Sequence, residues 1–177
     1  PRASAGPNPK PTPSAARAAA AAARRLTLLL VDEHLSGAKL ERMPGALAKA
    51  LELQAARLGA GADGLFVGLM SFGAAVSLHR LGEARPVTTA DAFRVDRLED
   101  LEELDRSGLL RRGEHVTPLR VAAAPLQRAL EGLAHRARAA RGRALGPALA
   151  YAAALLRFYE VAPAEAHVVV VTTGVGD

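Results

Sequence analysis

The chain has 177 residues, 50% of them apolar and 3% aromatic, with a net charge of +5 and no cysteine. That is enough chain for one domain with an aliphatic core. It leaves out a disulfide framework, a thiolate metal site, a membrane-spanning helix and an aromatic platform for single-stranded nucleic acid.

The charge is unevenly placed. Residues 1–31 carry Arg2, Lys10, Arg17, Arg24 and Arg25 and no acid, whereas from Asp32 onward 18 basic residues meet 18 acidic ones. The basic excess belongs to the tail and the remainder is neutral, unlike a nucleic-acid-binding domain, which gathers positive charge on the fold itself. Such a tail can touch an anionic membrane surface weakly, at about 1 kcal/mol per basic residue. Residues 1–23, "PRASAGPNPKPTPSAARAAAAAA", are expected to be a disordered Ala/Pro-rich linker or a targeting remnant. Their Arg-bearing, Ser-containing, acid-free character resembles an organellar transit peptide. The first residue is Pro, not Met, which is read as a processed product or a fragment. The domain proper is placed at 24–177.

Leu26–Val31 reads as a strand buried on both faces, the signature of a parallel sheet. From Ala38 to Leu58, Leu40, Met43, Leu47, Leu51 and Leu58 recur at helical spacing, with Pro44 early enough to be tolerated. "GAGADG" is expected to break the chain before a second apolar strand, "LFVGLMSF". "AAVSLHRLG" alternates as a third strand that could pair antiparallel, and residues 83–96 read as loop. Leu98, Leu101 and Leu104 suggest a short acidic helix. Pro125 is expected to start the next helix, with Leu126, Leu130, Leu133 and Ala137 as its buried stripe. A basic connection leads to a helix over Pro147–Tyr159, with Leu149, Ala152, Leu155, Leu156 and Tyr159 inward, and "HVVVVTTG" is a final β-branched strand. Strand–helix–strand order predicts an α/β three-layer sandwich around a mainly parallel sheet with one antiparallel edge strand, a sheet left incomplete in this chain.

Ligands of open parallel sheets bind beyond the carboxyl ends of the strands, so "VDEHLSG", "MSFGAAV" and "VTTGVGD" are the places to inspect. The five histidines show no metal-ligand spacing and read as surface or loop residues. "TTGVGD" lacks the Lys of a phosphate loop and the glycine spacing of a dinucleotide loop. Ser71 does not sit in a Gly-x-Ser-x-Gly elbow. The acids of "DRLEDLEELD" read as a solvated helix face, and the arginines from Arg136 to Arg143 as a soluble connection.

An acid at the tip of an apolar strand, followed by polar residues at alternate positions, resembles the metal-ion-dependent adhesion site of von Willebrand factor type A domains. In that family, Asp-x-Ser-x-Ser, a later Thr and an Asp at the end of the fourth strand offer oxygens to a divalent cation, as a hard cation requires. Asp32 and Ser36 keep the pattern; His34 stands for the first Ser, Arg143 for the Thr and Thr173 for the strand-end Asp. The resemblance therefore implies a degenerate site with no metal and no other cofactor. Arg143 is expected to serve as an internal cation that pairs with Asp32.

A narrower likeness follows from the segments in order. "SFGAAVSLHRLG", with Phe72, Gly73, Val76, His79, Leu81 and Gly82, is similar to the trunk segment of COPII inner-coat subunits. The His-x-Leu-Gly ending is nearer the GTPase-activating subunit than the cargo-adaptor subunit. "DAFRVDRLEDLEEL", "HVTPLRVAAAPLQRALEGL" and "RALGPALAYAAALL" with "HVVVVTTG" resemble later segments of that family, so the likeness runs over residues 26–177. It implies a von Willebrand A-like (Rossmann-like) trunk domain that is no enzyme itself and binds other coat subunits and a small GTPase. Its place would be cytoplasmic, peripheral at the endoplasmic reticulum membrane or on coated vesicles, in protein transport to the Golgi. The family's catalytic Arg lies in another domain, and its four-Cys zinc module precedes the trunk, where this chain is Cys-free. The alternative is a divergent A-like scaffold in another assembly, such as an organellar (chloroplast) protein-import complex or a ciliary complex.

Overall fold

The computed structural model describes residues 25–35, 37–82, 90–93, 115–135 and 143–172. Its elements are β1 (Arg25–Asp32), α1 (Gly37–Leu58), a 3₁₀ segment (Gly59–Gly64), β2 (Leu65–Phe72) and β3 (Val76–His79). Then follow β4 (Ala90–Phe93), β5 (Val116–Pro118), α2 (Leu119–His135), α3 (Leu145–Phe158), a 3₁₀ turn (Pro163–Glu165) and β6 (Ala166–Val171).

They form a mixed α/β fold around one six-stranded sheet of order β4-β3-β2-β1-β6, with β5 also on β2. The long pairings are parallel. Arg25–Asp32 runs beside Leu65–Phe72, and Leu26–Val31 beside Ala166–Val171. The antiparallel side is larger than the single edge strand expected. β3 takes the carboxyl half of β2, β5 takes its amino half, and β4 pairs with β3.

Period two divides β1 between two cores. Leu26, Leu28 and Leu30 join Met70, Phe72, Val76 and Leu78 under α3, which contributes Ala148, Tyr151, Ala152 and Leu155. Leu29 and Val31 join Val67 and Leu69 under α1 and α2, which contribute Met43, Leu51, Leu126, Leu130 and Leu133. A strand sandwiched in this way has no solvent-facing side, so it reads as unbroken Leu and Val. β6 has the same composition, yet Val168, Val169 and Val170 are each 39% exposed.

Several boundaries differ from the sequence reading. α2 begins at Leu119, so Pro125 lies within the helix and does not open it. Proline removes the donor to the carbonyl four residues earlier; here that residue is Val121, which is half exposed. β4 falls inside the stretch read as loop, and the three-residue β5 was not anticipated. "GAGADG" is wound as a 3₁₀ segment. Leu149, expected inward, is exposed, and Ala148 and Tyr151 take the buried stripe of α3. The acidic helix expected around Leu98–Leu104, and Ala137, lie outside the described residues. Among the described residues no helix is long and apolar enough to cross a membrane.

Candidate functional site

The carboxyl edge of the sheet brings together the ends of β1, β2 and β6 and the two residues before α3. Asp32 is the last residue of β1, fully buried, on the α3 face. Parity puts it there: it follows Leu30 by two.

Both oxygens of Asp32 are engaged from within the chain. Oδ1 accepts the His34 backbone N–H at 2.8 Å and lies 3.1 Å from His34 Nδ1. Oδ2 accepts the Thr172 hydroxyl at 2.9 Å, and Arg143 Nε stands 3.6 Å away. Burial alone would push the Asp32 carboxyl up; the His34 N–H, the Thr172 hydroxyl, the His34 ring and Arg143 outweigh it and hold it below its ordinary value.

The structure thus gathers Asp32, His34 and Arg143 at one point. Ser36 and Thr173 lie outside the described residues. The strand-end hydroxyl on Asp32 comes from Thr172, one residue earlier than the family pattern indicated. Sheet register explains it: Val31 lies beside Val171, so the next pair across the ladder is Asp32 with Thr172.

These residues do not fit a divalent cation. Such an ion needs several oxygens with open lone pairs, whereas Asp32, the one carboxylate that the described residues place at this point, already takes two hydrogen bonds and faces a guanidinium. Among the described residues no group of three His, Asp or Glu is gathered as a metal would require.

A second polar cluster occupies the opposite face of the same edge. The Ser71 hydroxyl donates to Glu33 Oε1 at 2.8 Å, and His79 Nε2 lies 3.0 Å from Ser71 Oγ. Ser71 has one proton and gives it to Glu33, so His79 Nε2 carries the hydrogen in the other bond. Ser71 and His79 are buried. His79, buried within β3, therefore departs from the surface or loop placement expected of every histidine, and His115, in the loop position just before β5, is buried as well. The sequence reading passed over Glu33, Ser71 and Thr172 as partners. Alternation could have found the first two, because Ser71 pairs in register with Val31, two residues before Glu33.

The Ser71 hydroxyl gives its proton to Glu33 and not to the imidazole, and it is fully buried.

No protein-family model matches the chain, and no curated protein matches it by sequence. The fold does match.

The human COPII-coat protein Sec24c superposes with a TM-score of 0.54 over 83% of this chain, at 11% sequence identity. The matched region is 18% of the Sec24c chain, so this chain spans less than a fifth of its neighbour's length. At that identity the likeness shows the fold: a mixed α/β, Rossmann-like arrangement that also occurs in a vesicle-coat protein.

Proposed function

We propose that this is a von Willebrand A-like trunk domain of the vesicle-coat type, which works by binding other proteins and performs no catalysis of its own. The observation that carries the reading is the internally closed strand tip. On a fold shared with a coat protein, the place where an A-like domain would coordinate a metal is filled by Arg143, His34 and Thr172 around Asp32. A tip closed in this way needs no cation to balance its acid, so any partner it meets must be engaged through side chains and shape.

The partners in this reading are other coat subunits and the small GTPase that recruits them. The setting is the cytoplasmic face of the endoplasmic reticulum, in protein transport toward the Golgi. Closeness to the GTPase-activating subunit rests on His79, Leu81 and Gly82 alone. His79 and Leu81 also have a packing role, since both are buried.

The test is retention of the protein on the coat's small GTPase loaded with a non-hydrolysable nucleotide, with the diphosphate-loaded form as control. Nucleotide-dependent retention supports the proposal; equal or no retention on both forms removes the coat assignment. Calorimetric titration with magnesium or manganese tests the closed tip separately, and saturable binding lost in Asp32→Asn would overturn it.

A further inference from the structure

The two polar clusters belong to one closed ring of contacts. Asp32 is bonded through the chain to Glu33. Glu33 is tied to β2 twice, by its backbone N–H to Phe72 O at 2.9 Å and by its carboxylate to the Ser71 hydroxyl at 2.8 Å. Two residues after Ser71, the Gly73 carbonyl accepts the Ala144 N–H at 2.8 Å. Ala144 follows Arg143, and Arg143 returns to Asp32 at 3.6 Å. The ring passes from the α1/α2 face of the sheet, where Glu33 and Ser71 lie, to the α3 face, where Asp32 and Arg143 lie.

Gly73 stands where the halves meet. Its carbonyl fixes the residue next to Arg143. Its own Cα lies so near Glu33 that a Cβ would stand 3.0 Å from Glu33 Oε2. A side chain at this position would press on Glu33: the three atoms nearest its Cβ, Oε2, Cβ and Cδ at 3.0, 3.4 and 3.6 Å, all belong to that residue, which must give by a few tenths of an ångström. His79 anchors the ring from behind, since its bond to Ser71 leaves the hydroxyl aimed at Glu33.

We propose that this ring is a two-faced clasp: the tip opens and closes as one cooperative unit, and Gly73 is the positioning residue that couples Glu33 to Arg143 through the sheet. The clasp requires no partner, so it stands or falls independently of the assembly role proposed above.

The test is native-state amide hydrogen exchange on the full chain carrying Gly73→Ala. The reporters are the N–H groups of Glu33, His34 and Ala144, bonded to Phe72 O, Asp32 Oδ1 and Gly73 O. Local opening sets their exchange, and losing about one net hydrogen bond from the closed state raises it on the order of tenfold. All three are expected to quicken by a common factor while the α2 amides of Leu126–Leu133 keep their protection. The Arg143 Nε–H resonance is expected to shift with them. Faster exchange at Glu33 and His34 with Ala144 and Arg143 unmoved would overturn the coupling, as would an equal rise throughout α2. Should Gly73→Ala not fold, Glu33→Gln decides. It keeps the size and weakens the Ser71 bond, so the same three amides must respond by a smaller common factor; an unmoved Ala144 would overturn the proposal there too.

Discussion

Asp32→Asn removes one charge and leaves the shape of the tip almost unchanged. In the wild type, one Asp32 oxygen takes the His34 N–H and the other the Thr172 hydroxyl, with Arg143 beside it. An asparagine can keep the first bond, but its amide nitrogen then meets Arg143, a donor only, where an acceptor stood, and the Thr172 hydroxyl must turn to accept a neutral bond in place of donating to a carboxylate. One hydrogen bond to a charged group is lost, worth about 1.5–3 kcal/mol. Arg143 loses its counter-charge but its side chain is 21% exposed, so partial hydration limits the added cost. The total is about 2–3 kcal/mol. For a domain of this size, each kcal/mol lowers Tm by about 2–4 °C, giving a fall of roughly 4–12 °C at neutral pH. Thermal and urea unfolding measure it.

The pH dependence gives a second readout of the same substitution. The folded-state pKa of Asp32 lies below the ordinary value of 3.8, so the folded protein binds the proton more weakly than the unfolded chain. The resulting stability is fully present above 3.8 and is lost as the pH falls through the lowered folded value. Asp32→Asn lacks this contribution, and the gap between wild type and variant should narrow in acid. A variant within about 0.5 kcal/mol of wild type at neutral pH, or a gap constant down to the acid limb, would refute the account of the tip.

Gly68→Ala is expected to destabilise by about 1–3 kcal/mol, the usual cost of overpacking. A Cβ there would lie 2.7 Å from Leu28 Cδ2 and 3.2 Å from the His115 carbonyl oxygen; the leucine can turn, but the backbone leading into β5 cannot. An unchanged urea midpoint would show that β5 is held less closely than described. Arg25→Ala is expected to change stability by less than about 1 kcal/mol, although Arg25 Nε lies 2.7 Å from Glu165 Oε2, because both side chains are substantially exposed. Any effect should shrink in added salt, and a large salt-independent loss would contradict a surface ion pair. Tyr151→Ala is expected to cost about 3–5 kcal/mol, since the ring is buried among β1, β2 and α3; a loss under about 1 kcal/mol would place α3 off the sheet.

Residues whose neighbours are set by one strand or helix period were legible in the sequence. The run ending at Asp32 had to be a strand buried on both faces, because Leu and Val at consecutive positions leave no side for water. "LFVGLMSF" was bounded by a Gly-rich stretch and a Phe-Gly corner, and its limits coincide with β2. That same run placed Asp32 at the carboxyl edge, and the Arg before "ALGPAL" was singled out as its counter-charge.

Other features lay beyond one-dimensional patterning. β5 is three residues long, too short to show a period. Pro125 marks a helix start by local rule, yet it sits inside α2 because a buried Leu126–Leu130–Leu133 stripe outweighs one missing hydrogen bond. His79 reads as an ordinary histidine until the antiparallel turn after Phe72 lays it against Ser71.

The sequence alone determined the layer class, the buried strand and the acid at its end, because apolar periodicity and a single charge in an apolar run are properties of consecutive residues. Tertiary structure alone decided which groups answer that acid. Thr172 lies 140 positions away in the chain and arrives only through the β1–β6 register. Arg143 arrives only because α3 packs on the Leu26–Leu28–Leu30 face. Hydrogen bonds and charges act through space at about 3 Å, and no local pattern records which distant residues the fold will bring that close.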